Sequence, residues 1–489
     1  MKLGFDNQQY ISMQSRFIRE RIDRFGGKLY LEFGGKLFDD HHAARVLPGF
    51  APDSKIRMLH SLRETAEIIL TIGATDIEKS KVRGDTGNPY DEECLKLIST
   101  LRGMDFYVSS VVITRYDGQP AADAFRRRLE SHGVKSYVHY AIPSYPSDVE
   151  LIVSDRGFGR NEYIETTRPL VVVTAPGPGS GKMAACLSQL YHERKRGVRA
   201  GYAKFETFPI WNLPLSHPVN LAYEAATLDL NDVNMIDPYH LDAHGVTAVN
   251  YNRDVEIFPV LKAIMEGILG ESPYASPTEM GVNMVGFCIT DDEVVRTAAK
   301  EEILRRYYKA ATAEKISGGD GSLTRRAELV MKSAGVTTDI RPVVAAALKR
   351  HEETDGPAGA MRLSDGTIVT GKTTPLLGAS AALLLNALKH LAGIPKEQDI
   401  ISPEALRPIC DLKLQHLHQR NPRLHTDEVL IALSISSATS EAAKRALEQL
   451  PSLCGCDAHF SVIRSAQEEK IYNKLRIYAT SEPRFKFKH

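Results

Sequence analysis

A glycine-rich turn between an apolar strand and a helix is the segment of this chain best suited to chemistry. Residues 170–173 read Leu-Val-Val-Val, and the turn that follows, Thr-Ala-Pro-Gly-Pro-Gly-Ser-Gly-Lys, ends at Lys182. Glycines can take positive φ, so successive backbone N–H groups can point inward, and a helix N-terminus adds partial positive charge. We therefore predict that Lys182 neutralises an anion that is held by the amides of Gly177, Gly179, Ser180 and Gly181.

The turn is P-loop-like but departs from the P-loop pattern at two positions. That pattern needs a glycine, four residues and then Gly-Lys-Ser/Thr, whereas this chain has Pro176 at the first position and Met183 at the hydroxyl position. The usual Mg²⁺ ligand is therefore missing: either Thr174 or Ser180 replaces it, or the site binds phosphate without the metal geometry of a P-loop. Two interpretations stay open: a site for phosphate or nucleotide, and a tight turn with a structural role only.

A second segment, residues 366–373, matches the P-loop pattern letter for letter. Its intervening residues are nearly all β-branched, which favours a strand, and Asp365-Gly366 between two apolar runs predicts a hairpin turn. What remains is a smaller anion site before a predicted helix at residues 376–391, with a capped helix and a solvated lysine as the alternative. Its candidate residues are Lys372, Thr373 and Thr374.

A dinucleotide site is the competing interpretation of the first turn. The glycines fall one residue short of G-x-G-x-x-G, and a predicted strand at 198–205 ends next to Glu206, near the place of a ribose-binding acid. Lys182 directly follows the last glycine, which argues against a site that binds NAD, because in such a site this position only starts the helix. Lys204 at the end of the same strand either reaches the phosphate site or pairs with Glu206.

Three further side chains are candidates for metal or substrate binding. Asp237 ends an apolar run downstream of the turn and is a candidate Mg²⁺ ligand, with Asp155 as its rival. Arg253 is suited to bidentate capture of phosphate or carboxylate. Asp254 is predicted to be the N-cap of a helix that runs to residue 269.

Composition limits the classes of protein. A length of 489 residues predicts two or three domains, and 61 basic against 61 acidic residues argue against a general nucleic-acid binder. The sequence shows no membrane span and no signal peptide, and six cysteines do not form a disulfide framework. We expect a cytoplasmic protein whose partner is a small phosphate-bearing molecule, not nucleic acid or membrane. The sequence allows a homo-oligomer and does not fix the oligomeric state.

Strand and helix patterns alternate along the first part of the chain, which predicts an α/β fold with a mostly parallel, three-layer sheet. We expect three regions: an α/β domain at 1–215 that carries the phosphate loop, a mainly helical region at 216–360, and a smaller C-terminal α/β domain at 361–489. Residues 351–359 are polar and resemble a linker. The elements predicted in the last domain include a helix at 403–419, a strand at 429–435, a helix at 440–450 and a strand at 459–462.

Several long strings carry a resemblance to a known family. They include the glycine-rich turn, Tyr-Ala-Lys-Phe-Glu-Thr-Phe-Pro from position 202 and Gly-Val-Asn-Met-Val-Gly-Phe from position 281. The whole chain resembles the bacterial domain of unknown function 1846, also called uncharacterised protein family 0371. The resemblance implies a soluble bacterial protein and carries over no catalytic residues. The turn and its strands also resemble P-loop amidoligases of the dethiobiotin synthetase kind, which place a lysine where Lys204 lies; Met183 departs from that pattern.

The leading hypothesis is a protein that binds ATP or another phosphate-bearing ligand, as an ATP-dependent phosphotransferase or ligase acting on a small molecule. Lys182 would neutralise the transferred group, Asp237 or Asp155 would hold Mg²⁺, and Arg253 and Lys204 would bind the anion of the substrate. The alternatives are a non-enzymatic sensor of a phosphorylated metabolite and an NAD-dependent oxidoreductase that uses Glu206.

Overall fold

The computed structural model describes residues 2–83, 87–419 and 422–486. The chain forms two compact units. The N-terminal unit contains Lys2–Glu224 and Asn231–Ala299, and the C-terminal unit contains Ala225–Leu230 and Lys300–His489. The region 216–360, for which the sequence predicts a helical segment, contributes residues to both units.

The N-terminal unit is built on a seven-stranded sheet with the order β4-β3-β2-β5-β1-β6-β9, in which every pair is parallel. A separate antiparallel pair, β7 and β8, lies in the same unit. The strands are β1 Leu29–Phe33, β2 Ala66–Gly73, β3 Val108–Tyr116, β4 Lys135–Tyr140, β5 Leu170–Thr174, β6 Gly201–Phe205, β7 Asn234–Ile236, β8 Val249–Tyr251 and β9 Gly281–Val282.

Helices connect these strands. Their bounds are α1 Asn7–Arg24, α2 His41–Val46, α3 Ser54–His60, α4 Ala74–Glu78, α5 Tyr90–Gly103, α6 Pro120–Ser131, α7 Val149–Ile152, α8 Lys182–Lys195, α9 Pro218–Ala226, α10 Pro238–His244, α11 Asn252–Leu269 and α12 Pro277–Met280. Short 3₁₀ helices occur at Phe158–Arg160 and Val285–Cys288.

The central strands β1, β2 and β5 are buried along their whole length. Near-continuous apolar strands of this kind are typical of a parallel sheet that is covered on both faces. On one face, Tyr30 and Val171 pack with Leu187 of α8 and Phe258 of α11 in one apolar core. The predicted α/β class with a mostly parallel sheet is confirmed.

The strand order reverses direction at β5. The chain moves across the sheet from β1 through β2, β3 and β4, and then returns to place β5 between β2 and β1, with β6 beyond β1. Open α/β sheets bind ligands at the carboxyl ends of strands where the order reverses. The glycine-rich loop, residues 175–181, follows β5 and therefore lies at this topological switch point.

The C-terminal unit contains a smaller sheet with the order β11-β10-β12-β13. Its strands are β10 Ala358–Arg362, β11 Ile368–Lys372, β12 Asp457–Phe460 and β13 Tyr478–Ser481, antiparallel except for the β12–β13 pair. The helices after α12 are α13 Asp292–Ser317, α14 Ser322–Ser333, α15 Pro342–Thr354, α16 Ala379–Leu391, α17 Pro403–Asp411, α18 Thr426–Ser436, α19 Glu441–Glu448 and α20 Ala466–Lys474, with 3₁₀ helices at Leu228–Leu230, Thr338–Ile340 and Leu450–Leu453.

The hairpin predicted around Asp365-Gly366 is confirmed. β10 and β11 pair antiparallel, the amide of Leu363 donates to the carbonyl of Thr367 at 2.9 Å, and Gly366 has φ +89°. Only a glycine adopts this φ without strain. The turn chemistry thus accounts for the glycine that completes the P-loop pattern in this segment.

The strand predicted at 429–435 is wrong, because this segment forms the helix α18. Its buried residues Val429, Ala432, Leu433 and Ser436 recur at helical spacing, and a capping box of His425 and Glu428 starts it. A short apolar run does not distinguish a strand from a buried helix.

Other predicted boundaries shift. The helix predicted at 403–419 ends as α17 at Asp411 and continues as a π-helix to His416. The helix predicted from 376 begins at Ala379. The linker predicted at 351–359 is wrong, since α15 runs to Thr354 and β10 begins at Ala358.

No helix within the described ranges is both long enough and apolar enough to cross a bilayer. All six cysteines are present as free thiols.

Candidate functional site

The glycine-rich loop leads directly into α8. Gly179 has φ +71°, Gly181 has φ +86° and is the N-cap of the helix, and no side chain caps it. Along the described chain from Gly177 onward, the first recorded backbone hydrogen bond donated by an amide is that of Ala185, to the carbonyl of Gly181 at 3.0 Å. In the part of the chain that the structure describes, nothing accepts a hydrogen bond from the loop amides of Gly177, Gly179, Ser180 and Gly181.

The neighbouring strands hold the loop in this shape. The hydroxyls of Ser180 and Thr71 are 2.9 Å apart, and the hydroxyl of Thr114 donates to the carbonyl of Ser180 at 2.7 Å. A Cβ added at Gly177 would lie 2.5 Å from the ring of Tyr90, so the loop packs closely against the start of α5. Ser180 therefore contributes its amide to the site, and its buried hydroxyl is used to fix the loop.

A buried ionic cluster lies at the carboxyl end of β6. We call Lys204, Glu206, Tyr251 and Asp254 the β6 cluster. Lys204 Nζ is 2.9 Å from Glu206 Oε1 and donates to the carboxylate of Asp254 and the hydroxyl of Tyr251. The Lys204 and Glu206 side chains are only 12% and 11% exposed. Lys204 thus pairs with Glu206, in a buried cluster, and its role in binding an anion stays a prediction.

The sequence predicts Asp254 as the N-cap of its helix, but in the structure this residue belongs to the β6 cluster. Helix α11 begins two residues earlier, at Asn252, and Tyr251 is its N-cap. Asp254 therefore lies in the first turn, where its carboxylate binds Lys204. The N-cap prediction is wrong.

The β6 cluster perturbs the protonation of its members. Burial raises the pKa of Glu206 to about 7, and Asp254 adds to this effect against the attraction of Lys204. Burial opposes the charge of Lys204, but the carboxylates of Asp254 and Glu206 outweigh it and raise its pKa well above its ordinary value. Burial also raises the pKa of Tyr251. Of these three shifts, that of Glu206 moves the pKa toward neutrality.

Glu32 lies on β1, the strand between β5 and β6. It lies near the end of β1, pairs in register with Lys204 and accepts a 2.8 Å hydrogen bond from the hydroxyl of Tyr202. Adjacent strands are about 4.8 Å apart and β1 separates β5 from β6, so these two strands are about 10 Å apart. Ser180 of the loop bonds to Thr71 of β2 and Thr114 of β3, which lie on the side of β5 away from β6.

Of the other candidates, Arg253 contacts the β6 cluster through its guanidinium, which lies 5.6 Å from the centre of the Tyr251 ring. Among the described residues no contact of Asp155 or Asp237 with the loop or the cluster is recorded. Arg253 binds Asp232 through two nitrogens, with 2.6 Å from Nε to Oδ1 and 2.8 Å from Nη2 to Oδ2. Asp155 is exposed, accepts a 2.9 Å hydrogen bond from Tyr191 and pairs with Lys195. Hydrogen bonds from Lys195 and Tyr191 lower the pKa of the Asp155 carboxyl.

Asp237 is the N-cap of α10. One carboxylate oxygen accepts from the amides of Tyr239 and His240 at 3.0 and 3.1 Å, and the other accepts from the Thr278 hydroxyl at 2.6 Å. Within the described ranges no group of three or more His, Cys, Asp or Glu side chains is arranged to hold a metal ion. Mg²⁺ commonly uses only one or two carboxylates together with phosphate and water, so the Mg²⁺ role of Asp237 or Asp155 stays a prediction.

The second candidate anion site lies in the C-terminal unit. Lys372 ends β11, the amide of Thr373 donates to the carbonyl of Pro357 at 2.9 Å, and the Thr374 hydroxyl accepts from the amide of Leu377 at 2.9 Å. Because α16 begins only at Ala379, these three residues do not lie at a helix N-terminus. The helix N-terminus that supported this anion site therefore lies further along the chain, and anion binding by these residues stays a prediction.

Fold and site together define an α/β protein with a seven-stranded parallel sheet and a glycine-rich loop at its switch point. The chain belongs to the DUF1846 family. The family model for the domain of unknown function DUF1846, N-terminal, matches residues 3–335, and the C-terminal model matches residues 339–489. The resemblance found in the sequence is confirmed.

Relatives cover the chain almost completely. A UPF0371 protein of Corynebacterium aurimucosum is 58% identical over 484 residues, 99% of this chain and 97% of the relative. UPF0371 proteins of Streptococcus thermophilus and Streptococcus pneumoniae are each 54% identical over 486 residues, 99% of this chain and 98% of the relative.

Proposed function

We propose that this protein binds the phosphate group of a small molecule, a nucleotide or a phosphate ester, on the glycine-rich loop. The observation that carries the proposal is the set of loop amides without a protein partner, in front of α8 at the switch point of the sheet. A phosphate would satisfy these donors, and the helix N-terminus and Lys182 would add positive charge.

A dinucleotide site receives less support from the strand order. In the dinucleotide fold the acid that binds the ribose ends the strand next to the glycine-rich loop's own strand. Here β1 lies between β5 and β6, and Glu206 at the end of β6 is paired with Lys204. An NAD-dependent oxidoreductase that uses Glu206 as its ribose ligand is therefore the weaker alternative.

An enzyme is supported more than a simple sensor. A sensor needs only the loop, whereas the β6 cluster on the same sheet edge contains a carboxyl group whose pKa is about 7, as general acid–base catalysis requires. We retain an ATP-dependent phosphotransferase or ligase in the cytoplasm as the finer proposal. Met183 has no hydroxyl group, and the hydroxyl group of Ser180 bonds to Thr71. Mg²⁺ would therefore need another protein ligand.

A thermal-shift panel tests the proposal. Wild-type protein is heated with ATP, NAD⁺, sugar phosphates or inorganic phosphate, each with and without Mg²⁺. Stabilisation by at least one phosphate compound is expected, and Lys182→Ala should lose it. The matched control is Lys195→Ala at the other end of α8, which should respond like the wild type. The proposal fails if Lys182→Ala binds the best ligand as tightly as the wild-type protein.

The panel also separates the finer alternatives. Stabilisation by ATP that requires Mg²⁺ supports phosphoryl transfer, and an equal response to ATP and phosphate without metal supports a sensor. A preference for NAD⁺ that is lost in Glu206→Ala supports the oxidoreductase.

A further inference from the structure

We infer that Lys81, Arg115 and Asp76, which we call the Asp76 cluster, form a second anion subsite beside the glycine-rich loop. The ligand then carries two consecutive phosphate groups, one on the loop and one on this cluster. The inference rests on the proposed function, because the loop has to hold the first phosphate.

The contacts of the glycine-rich loop point toward the carboxyl ends of β2 and β3. Ser180 bonds to Thr71 of β2 and Thr114 of β3, and a Cβ added at Gly181 would lie 3.1 Å from Thr114. Gly73 ends β2 and pairs in register with Thr114. A side chain that lies over Gly73 is therefore a neighbour of the loop.

The guanidinium of Arg115 lies over Gly73. Arg115 is at the carboxyl end of β3, and its Nη2 blocks the place of a Cβ at Gly73, where Asp76 Oδ2 is also only 2.8 Å away. Side chains alternate along a strand, so Thr71 and Gly73 face the same side of β2, about 7 Å apart. Because the Thr71 hydroxyl meets that of Ser180, the guanidinium and the loop lie on one face of the sheet.

Lys81 lies close to another part of the loop. Its Nζ is 5.2 Å from the centre of the Tyr90 ring, and a Cβ added at Gly177 would be 2.5 Å from atoms of the same ring. One aromatic ring thus separates the Lys81 ammonium from Gly177. Since Lys81 and Arg115 both contact Asp76, the three side chains form one group beside the loop.

The charges of the Asp76 cluster favour an anion. Among the described residues, Asp76 is the one carboxylate recorded against either cation, 3.3 Å from Lys81 Nζ and 3.5 Å from Arg115 Nη2. Charge-assisted hydrogen bonds are shorter, about 2.7–2.9 Å, and Lys55 Nζ is 2.7 Å from Asp40 Oδ2. Both cations are 47% exposed, so two positive charges share one carboxylate loosely, and most of their N–H donors remain for a phosphate.

The position of the cluster selects the ligand class. An anion that contacts Arg115 lies about 7 Å further along the strand direction than Thr71, which fixes the loop. A second phosphate at this place has to be joined directly to the first. The ligand class is therefore a diphosphate, free or esterified as in a nucleoside diphosphate, and the planar guanidinium suits its oxygens. A monophosphate ester would leave the cluster unused.

Calorimetric titration in the presence of EDTA tests the inference with inorganic phosphate, pyrophosphate, AMP and ADP. In wild-type protein pyrophosphate should bind about tenfold more tightly than phosphate, a gain typical of hydrogen bonds to charged groups. Arg115→Gln should remove most of this gain and leave the affinity for phosphate unchanged. The comparison of phosphate with pyrophosphate decides the inference, and a matching gain of ADP over AMP identifies the diphosphate as that of a nucleotide.

Two further variants separate a defined subsite from general attraction to positive charge. Arg102→Gln removes the same charge at the far end of α5, where Arg102 donates to the carbonyls of His132 and Gly133, and should match the wild type. Gly73→Ala keeps every charge but places a Cβ against the Arg115 guanidinium, so it should lower the gain for pyrophosphate. Gly73 has φ −75°, which alanine adopts without strain.

Three results would overturn the inference: pyrophosphate binds no more tightly than phosphate, Arg115→Gln or Gly73→Ala retains the full gain, or Arg102→Gln loses as much of it as Arg115→Gln. Binding of phosphate without a gain for pyrophosphate rejects only the second subsite and leaves the proposed function intact. If wild-type protein binds none of these probes and no compound of the thermal-shift panel, the proposed function itself fails.

Discussion

The hydroxyl of Thr114 donates a 2.7 Å hydrogen bond to the carbonyl oxygen of Ser180. The carbonyl and the N–H of a trans peptide point in opposite directions. Fixing the Ser180 carbonyl against β3 therefore turns the amide of Gly181 away from the sheet. One buried threonine thus orients an amide that we propose to bind phosphate.

Thr114→Val should weaken phosphate binding more than it weakens the fold. Loss of the hydrogen bond costs about 1 kcal/mol of stability, and the freed Ser180 carbonyl no longer directs the Gly181 amide. The measurement is the dissociation constant for the best phosphate ligand, which we expect to rise several-fold. Thr100→Val, which removes an exposed helix hydrogen bond, is the control. Equal affinities in the two variants would contradict the role of Thr114.

Gly177→Ala should destabilise the protein by overpacking. The new Cβ would lie 2.5 Å from the Tyr90 ring, which forces a shift that costs about 1–3 kcal/mol. At Gly179 a Cβ meets nothing within 4 Å, so Gly179→Ala costs only the strain of positive φ, about 1 kcal/mol. Thermal unfolding of both variants measures the difference, and Tyr90→Ala should partly rescue Gly177→Ala. An unchanged melting temperature in Gly177→Ala would show that the loop does not pack against Tyr90.

Glu206 should make stability fall as pH rises toward neutrality. Its folded pKa of about 7 exceeds its ordinary value of 4.5, so the folded state binds more protons between these values. The stabilisation is complete below pH 4.5 and is lost as the pH rises to 7. Glu206→Gln lacks this dependence, so between pH 5 and pH 8 its stability relative to wild type should increase by about 2 kcal/mol. Melting temperatures of both proteins across this range are the measurement; parallel curves would refute the raised pKa.

Asp457 should be essential to the C-terminal unit. It binds the fully buried Arg341 through both oxygens, at 2.8 and 3.1 Å, and Arg305 at 2.9 Å. Asp457→Asn leaves the charge of Arg341 uncompensated, which costs about 3–5 kcal/mol. The double variant Asp457→Leu with Arg341→Met removes both charges and should cost less. Chemical denaturation monitors the loss, and a double variant no more stable than Asp457→Asn would argue against an uncompensated charge.

The carboxyl group of Asp457 should also make the stability of the protein fall at low pH. Against the effect of burial, Arg305 and Arg341 lower the pKa of Asp457 to about 2 from 3.8. This depressed pKa contributes stability above pH 3.8, and the contribution is lost as the pH falls toward 2.

Local sequence patterns were sufficient for the parallel sheet and the glycine-rich loop. Leu-Tyr-Leu-Glu-Phe is apolar and aromatic enough to predict β1, and Leu-Val-Val-Val-Thr is rich enough in β-branched residues to predict β5. The glycines after β5 supply the positive φ that the loop uses. The apolar run at 429–435 does not by itself distinguish a strand from a buried helix, and the capping pair His425 and Glu428 before it is the local sign of a helix.

The rest of the site depends on contacts between residues far apart in the sequence. Thr114 is 66 positions from Ser180, and Asp254 is 50 positions from Lys204. No local pattern pairs them, so the sequence does not predict the roles of Thr71, Thr114, Tyr90 and Glu32, and it predicts Asp254 only as an N-cap. One sequence pattern does point to Glu32. A carboxylate near the end of a strand in a parallel sheet lies at the edge where such sheets bind ligands.

Backbone NMR of protein labelled with ¹⁵N-glycine tests the central proposal most directly. Inorganic phosphate is titrated into the wild-type protein and into Lys182→Ala, and the glycine amides are followed. We expect saturable downfield shifts of the Gly177, Gly179 and Gly181 amide protons, strongly reduced in Lys182→Ala. If phosphate saturates the protein and these three amides do not move, the glycine-rich loop is not the phosphate site.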